Sequence, residues 1–326
     1  MGSRARAWVT GANGFIGRAL MARLQAMGVA TGGVDLVADA TRNVVAGDIS
    51  RPGPWQSQAR GCEIVFHTAA VVSNTAAPAL YRAISVAGVR NVIDAAIQGG
   101  ASRFIHLSSI AAYGLDLDTD RHEGDPITAL SGFPYCDAKA AGEHPVLAAH
   151  AAGEIAATVI RPGDVYGPGS RPWVLIPLAM MRKHQFLLPA QGRGIFSPVY
   201  IDNLLDGILL AAENPPAAGQ VFNMTDGSGV ECREFFSHHH RWLGRRGAPL
   251  ALPTPLAAGV TGAAGWLLRR LLKQQTEISM ASLAMLSRRA TYSIAKARRM
   301  LGYSPTIGLG EGMQRTKKWL RDNGMI

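Results

Sequence analysis

The sequence predicts an α/β protein built on a doubly wound parallel sheet, with a smaller, mainly helical C-terminal lobe. Three observations carry that prediction. Short apolar, β-branched segments alternate with alanine-rich stretches of helical spacing as far as Ile160, the pattern of a parallel sheet covered on both faces. A glycine triplet joins the first of these segments to the first helix. Past Arg161 the chain changes to proline- and glycine-rich connections between further helices, with no repeat at a fixed period.

Strands are expected at residues 5–10, 29–34, 43–46, 63–68, 103–107 and 156–160. The first helix is expected at 15–27. Another is expected at 83–97, where Ile84, Val89, Val92, Ile93 and Ala96 recur at the spacing of one buried stripe. Residues 135–143 also read as helical. Short helices at 174–183 and 201–213 follow, then a last strand at 220–224 and helices at 233–243, 255–273, 294–301 and 310–322. Residues 1–165, with a return segment at about 198–225, form the expected nucleotide-binding domain. Residues 166–197 and 226–326 form the expected substrate lobe, closing over a ligand held beyond the carboxyl ends of the strands.

The run from Ala7 to Gly17 sets the chemistry of the first turn. Gly11 permits a tight turn with positive φ, Gly14 lets the backbone approach a pyrophosphate, and Gly17 lets the helix pack closely on the strand. An anion there meets free amides at a helix N-terminus, where the macrodipole favours negative charge. Asn13, Phe15 and Ile16 complete the loop expected at the cofactor. Asp35 lies at the end of the next short apolar segment, where a carboxylate can accept both hydroxyls of an adenosine ribose and repel a 2′-phosphate. That charge argues for NAD over NADP. A chance glycine triplet and a solvated turn aspartate are the plainer readings, and the strand-turn-helix setting favours a dinucleotide site of the Rossmann type.

At 326 residues the chain suffices for one large domain with a lobe or for two modest domains, and its 48% hydrophobic content suffices for a core. Cys62, Cys136 and Cys232 are odd in number and include no close pair, so neither a disulfide framework nor a zinc site is suggested. A reducing compartment fits that usage. The glycine loop begins too close to Met1 to leave room for a secretory leader. A cytoplasmic protein is expected, with peripheral attachment at the inner membrane face left open. The formal charge of +10 is concentrated: residues 1–268 hold 21 Lys and Arg against 20 Asp and Glu, and residues 269–326 hold 12 against 3. No nucleic-acid recognition motif accompanies the basic tail, so no nucleic acid partner is expected and a solvated helix face is the simpler reading.

Tyr135 and Lys139, four positions apart in a helical segment, share one helix face. A phenol with an ordinary pKa of about 10 is a poor base until positive charge stabilises its anion. Lys139 is expected to supply such a charge and to hydrogen-bond the nicotinamide ribose. The strand at 103–107 leads into Ser108 and Ser109, two hydroxyls at the carboxyl edge of the sheet. Singly, these residues are an ordinary helical pair and a pair of capping serines. Their order along the chain, together with the glycine loop, resembles the extended short-chain dehydrogenase/reductase family.

The resemblance covers nearly the whole chain. Gly11, Gly14 and Gly17 match the family's TGxxGxxG pattern, and Asp35 matches its acidic ribose ligand. Gly47-Asp48-Ile49 resembles the segment whose Asp and following apolar residue contact adenine, and His67-Thr68-Ala69-Ala70 resembles the fourth-strand motif beside the cofactor. Ser109 with Tyr113-Gly114 resembles the hydroxyl motif, and Tyr135 with Lys139 is its YxxxK. Arg161 to Gly169 and Val199 to Leu204 are similar to the segments after strand six and at the lobe hinge, which implies Pro162 and Val165 at the cofactor. Leu252 to Ala257 and Lys296 to Pro305 resemble the 3β-hydroxysteroid, or sterol, dehydrogenase branch. One helix departs: where many relatives read Asn-Val-x-Gly-Thr, this chain reads Ser85-Val-Ala-Gly-Val89.

The resemblance implies a Rossmann fold, an NAD cofactor, a homodimer, and reversible hydride transfer between NAD and a hydrophobic secondary alcohol of sterol type. Tyr135 would exchange the hydroxyl proton, Ser109 would hydrogen-bond the same oxygen, and Lys139 would keep the phenolate accessible. Two alternatives stay open. One is a nucleotide-sugar epimerase or dehydratase with retained NAD, for which Arg193 is the candidate diphosphate ligand; the other is a non-catalytic NAD-binding sensor or scaffold. Trp173, Ile176, Phe186 and Phe196 are pocket-lining candidates by position, with core packing the simpler use. His238, His239 and His240 point in different directions on a helix, so no metal site is expected and a solvent-facing run is. Residues 255–268 carry no charged side chain and precede Arg269, Arg270 and Lys273. That stretch falls short of the roughly 20 residues that cross a bilayer. A packed lobe helix with a solvated basic end is favoured over one lying in an anionic membrane interface.

Overall fold

The computed structural model describes residues 6–71, 76–115, 117–270 and 280–326. Its strands are β1 (Arg6–Thr10), β2 (Ala30–Asp35), β3 (Val44–Ala46), β4 (Ile64–His67), β5 (Arg103–Leu107), β6 (Ala156–Pro162), β7 (Asp164–Tyr166), β8 (Ile195–Phe196), β9 (Pro198–Tyr200), β10 (Val221–Met224) and β11 (Val230–Glu231). Its α-helices are α1 (Phe15–Ala26), α2 (Pro78–Arg82), α3 (Gly88–Gly99), α4 (Pro134–Ala151), α5 (Ile176–Arg182), α6 (Ile201–Glu213), α7 (Cys232–Trp242), α8 (Thr254–Arg270), α9 (Met280–Ser287), α10 (Ala295–Leu301) and α11 (Leu309–Asp322).

Seven strands form one parallel sheet in the order β10-β6-β5-β4-β1-β2-β3, the predicted doubly wound Rossmann arrangement. The order reverses at β1, which pairs with β2 on one side and β4 on the other. The crevice beyond the carboxyl ends of β1 and β4 is therefore the topological switch point, where ligands bind in such sheets. Helices cover both faces. On one, Leu20, Met21 and Leu24 of α1 join Leu204, Leu205 and Ile208 of α6 against Val9, Phe66 and Ile105. On the other, Val89, Val92 and Ile93 of α3 and Val146 and Ala149 of α4 pack against Val65, Phe104 and Val159. The predicted α3 stripe is thus a core face, with Ala96 buried beside it.

The helix expected at 83–97 starts earlier, at Pro78, and passes through a wide turn at Ala83–Ala87 before α3. The cause is a close approach. A side chain at Gly142 of α4 would collide with the carbonyl oxygen of Ser85, so the two backbones meet where the turn bulges. Two small sheets escape the sequence patterns, β7 with β9 and β8 with β11, because each strand is only two or three residues long. The last three positions of the helix expected at 255–273 lie outside the described residues.

One expectation needs correction, and two further features complete the sequence reading. Phe196 stacks on Phe235 at 3.9 Å between centroids, with Trp173 edge-on to it at 4.8 Å, and Phe186 lies 4.9 Å from Phe236. Trp173 and Phe196 pack in the interior between β8 and α7, the simpler use expected of them, while Phe186 is partly buried against Phe236 and also borders a surface cleft. The histidine run is not uniformly solvated: His239 is fully buried, its Nε2 lies 2.8 Å from the Trp173 carbonyl, and burial lowers its pKa to about 4. The helical period turns the middle residue inward while its neighbours stay half-buried. Finally, α9 occupies a stretch the sequence left unassigned, since Met-Ala-Ser-Leu-Ala-Met-Leu-Ser is apolar on every side and presents no periodic face. Among the described residues no helix is long and apolar enough to cross a membrane, and no cluster of His, Cys, Asp and Glu has metal-binding geometry.

Candidate active site

The glycine loop sits at the switch point in the conformation its residues predict. Gly11 has φ +67, and a Cβ there would lie 2.7 Å from the backbone of Ala69, at the end of β4. A Cβ at Gly17 would overlap the Gly11 carbonyl oxygen, and one at Gly14 would come within 3.1 Å of it. The Gly14 amide donates to the Gly11 carbonyl at 2.9 Å, and the first bond within α1 runs from the Arg18 amide to the Gly14 carbonyl, also 2.9 Å. The amides of Phe15 and Ile16 precede that bond, so they are the donors an anion meets.

Asp35 ends β2 and closes on the loop. Its carboxylate accepts from the Asn13 amide at 2.8 Å and the Leu36 amide at 2.7 Å, leaving lone pairs on both oxygens. Arg42 stands beside it, donating to the Ala12 carbonyl and to the Asn13 side chain while paired with Asp39. Thr68 donates through Oγ1 to the Thr10 carbonyl at 2.7 Å, fixing Ala69 and Ala70 against the loop. After β3, Asp48 accepts from the Ser50 amide at 3.0 Å, and the carbonyl of buried Ile49 takes the Asn91 side chain at 2.9 Å. Pro162 ends β6, and Val165 lies buried in β7.

Tyr135 and Lys139 occupy one face of α4, as their spacing predicts. Burial pushes the Tyr135 phenol up to about 12, and a hydrogen bond with the Ser109 hydroxyl acts in the opposite direction. Ser109 also caps the turn after β5, accepting from the Ala111 amide at 3.1 Å. Lys139 is buried, which lowers its pKa to about 8, and its ammonium donates to the Leu107 carbonyl at 2.9 Å. The expected partnership is therefore altered: the phenol's immediate partner is Ser109, and the ammonium is held by the strand end beneath it. Glu143, one further turn along the same face, supports the Lys139 charge.

A small recess opens at Tyr135. Leu115, Phe133, Pro134 and Cys136 wall it from the sheet side, and Ala281 and Met285 of α9 wall it from the other. None of these carries a charge. Arg193 is exposed after a short turn at Ala190–Gly192 and does not line this cavity.

The sequence model of the NAD dependent epimerase/dehydratase family matches residues 7–225. The chain belongs to that family. It is accordingly an NAD-dependent oxidoreductase of the extended short-chain dehydrogenase/reductase type. It is 29% identical over 320 residues to the 4-hydroxy-2-methyl-3-oxo-4-farnesyl-3,4-dihydroquinoline-1-oxide ketoreductase of Stigmatella aurantiaca, covering 94% of each chain. It is also 29% identical over 272 residues to 3beta-hydroxysteroid-dehydrogenase/decarboxylase isoform 1 of Arabidopsis thaliana, covering 79% of this chain but only 62% of the plant protein. Among solved structures, MoeE5 in complex with UDP-glucose and NAD shares its fold, with a TM-score of 0.76 and 24% identity over 98% of this chain and 99% of that one.

The residues of this family member fit NAD. The cradle is one that any Cβ at Gly11 or Gly17 would fill, and Asp35 is already fastened to the loop with acceptor capacity to spare. Several neighbours of the site escaped the sequence reading. Arg161 donates to both oxygens of Glu143, at 2.8 and 2.6 Å, and Ser108 donates to the same carboxylate at 2.5 Å. That engagement turns Ser108 down into the protein and leaves Ser109 at the phenol. The guanidinium of Arg161 lies 4.6 Å from the centroid of the Tyr113 ring. His67 and His106, paired in register on β4 and β5, stack at 5.2 Å beside Lys139, and burial keeps both imidazoles neutral. Asp164 and Arg288 form a buried ion pair that ties the start of β7 to the residue after α9. Spacing from Lys139 could have flagged Glu143. Nothing local flags Arg288, whose partner is 124 positions away.

Proposed function

We propose that the protein interconverts a hydrophobic secondary alcohol, sterol-like in bulk, and its ketone. The observation that carries this reading is the cavity at Tyr135, whose side-chain walls are apolar or weakly polar and bear no charge. A nucleotide diphosphate needs cationic or amide partners beside the reacting carbon, and the lining residues supply none. Two relatives carry names that fit: a ketoreductase acting on a farnesylated ring system, and a 3β-hydroxysteroid dehydrogenase. In this reading residues 166–197 and 226–326 make up the substrate lobe.

Bound NAD supplies the hydride acceptor for alcohol oxidation, and its reduced form supplies the donor for ketone reduction. Gly11, Gly14 and Gly17 hold its pyrophosphate, Asn13, Phe15 and Ile16 frame it, and Asp35 takes the adenosine ribose. Asp48 and Ile49 face the adenine, while Thr68, Ala69, Ala70, Pro162 and Val165 line the remaining cofactor path. Tyr135 carries the proton. With its phenol protonated at neutral pH it donates to the ketone oxygen; in the reverse direction its anion accepts the alcohol proton. Ser109 hydrogen-bonds the same substrate oxygen, and Lys139 fixes the nicotinamide ribose and favours the anion. His67 and His106 exclude water from beneath Lys139.

The test is a substrate panel. Purified protein with NAD is offered sterols, simple hydrophobic alcohols and nucleotide sugars while reduced nicotinamide is followed by absorbance. NADH formation with a sterol or another bulky alcohol is the expected result. Inversion of a nucleotide sugar without net NADH would replace this reading with an epimerase.

A further inference from the structure

The first turns of α8 set larger aliphatic side chains at the surface. A surface helix normally turns its large apolar residues inward and its polar residues to water. Among the described side chains of α8, the small Ala257 and Thr261, four apart, are buried, while Leu256 and Val260 on the adjoining stripe are 60% and 48% exposed. Leu250, just before the helix, is 63% exposed, and Met280, at the start of α9, is 59% exposed. Four of the protein's exposed large aliphatic side chains thus come from one stretch and from the helix packed against it.

A second, independent feature adjoins that face. A surface cleft lies between the ends of α5 and α7, and Leu250 forms part of its rim. Its polar groups are all basic: His184, His240 and Arg245, set among Met181, Phe186 and Pro249. Arg245 uses Nη1 on the Met181 carbonyl at 2.9 Å, capping α5, and its guanidinium has further donors to offer. Nδ1 of His240 is buried without a hydrogen-bond partner, and His184 is held at φ 55, a backbone conformation costly for any residue but glycine. The described sequence beside the cleft carries charge of one sign: residues 235–263 contain Arg241, Arg245 and Arg246 and no Asp or Glu.

We propose that this face docks on an anionic bilayer, with a lipid phosphate entering the cleft of His184, His240 and Arg245 and Leu250, Leu256 and Val260 entering the headgroup boundary. A neutral apolar patch would suit many partners, but an aliphatic ridge beside an acid-free cationic cleft matches the layered chemistry of hydrocarbon under phosphate. The position gives docking a purpose that rests on the hydrophobic-substrate reading. α9 packs against α8 and sends Ala281 and Met285 into the Tyr135 cavity, so the docked face lies one helix from the catalytic tyrosine.

The test is co-sedimentation with vesicles, read without turnover. The protein is expected to sediment with vesicles of phosphatidylcholine and phosphatidylglycerol, to remain in solution with phosphatidylcholine alone, and to be released by salt. Leu256→Glu with Val260→Glu, and separately His240→Gln with Arg245→Gln, are each expected to weaken partitioning by about tenfold or more. NAD binding at wild-type strength shows that these variants are folded. Equal binding to both vesicle types, or wild-type binding by both variants, overturns the proposal. So does binding of free glycerol phosphate without vesicle sedimentation. A shift of the Leu256→Glu, Val260→Glu variant from dimer to monomer in ultracentrifugation would reassign the face to a contact between copies. Vesicle binding by a protein inert toward every hydrophobic alcohol leaves the docking face standing and removes only the substrate reading.

Discussion

The cradle at β1 and the cavity at Tyr135 meet at the same edge of the sheet, yet they are made of different material. In the cradle the backbone does the recognising, and Gly11 and Gly17 sit where any side chain would strike a neighbouring main chain. The cavity is walled by ordinary core side chains gathered from three separate stretches: Leu115, Phe133 to Cys136, and α9. A backbone site is rigid and generic, whereas a side-chain site can be recut one residue at a time. Cofactor choice should therefore resist mutation in the lobe, and substrate choice should respond to it.

The largest expected effect tests the junction of the two. Tyr135→Phe removes the proposed proton carrier, and kcat should fall by about 10²–10⁴-fold while NAD affinity, measured by fluorescence titration, stays near wild type. Near-normal turnover would detach the chemistry from this tyrosine altogether. Gly17→Ala attacks the cradle alone. Overpacking against the Gly11 carbonyl should cost about 1–3 kcal/mol in urea unfolding and weaken NAD binding; an unaltered NAD affinity would break the contrast between backbone and side-chain sites. Met285→Ala enlarges the cavity, so relative kcat/KM should shift about tenfold toward bulkier alcohols with NAD affinity unmoved.

The smallest effect is in pH dependence, where Lys139 is one contributor beside the buried thiols of Cys136 and Cys232, whose raised pKa values act in the opposite direction. Burial lowers the Lys139 pKa from the ordinary 10.5 to about 8. Between those values the unfolded chain holds a proton that the folded chain has shed, so this group's contribution to stability rises with pH through that window. Lys139→Met should flatten the rise in a series of thermal melts. A wild-type profile that falls between pH 8 and 10.5, with the variant falling identically, would place the ammonium in water.

The same contrast explains what could be read in advance. The sheet strands were legible almost to the residue, because a parallel sheet buried on both faces demands continuous apolar runs such as Trp8-Val9 and Phe104-Ile105. The glycine loop, Asp35 and the Tyr135/Lys139 pair were legible for a related reason: each follows a local rule of turn geometry or helix period. The walls of the cavity obey no local rule. Phe133 precedes α4 and Met285 lies on a helix without a polar face, so only the folded chain brings them together. The ion pair of Asp164 with Arg288 and the inward turn of His239 are likewise products of assembly.

That ion pair has a practical consequence. Arg288 fastens the downstream end of α9 to the residue group that follows β6, while Leu286 offers its carbonyl to the Cys232 thiol. The eight residues from Met280 to Ser287 thus run into a fixed downstream anchor. In the proposed reading, a library confined to the cavity-facing positions Ala281 and Met285 would recut the choice of alcohol while leaving the cofactor cradle untouched.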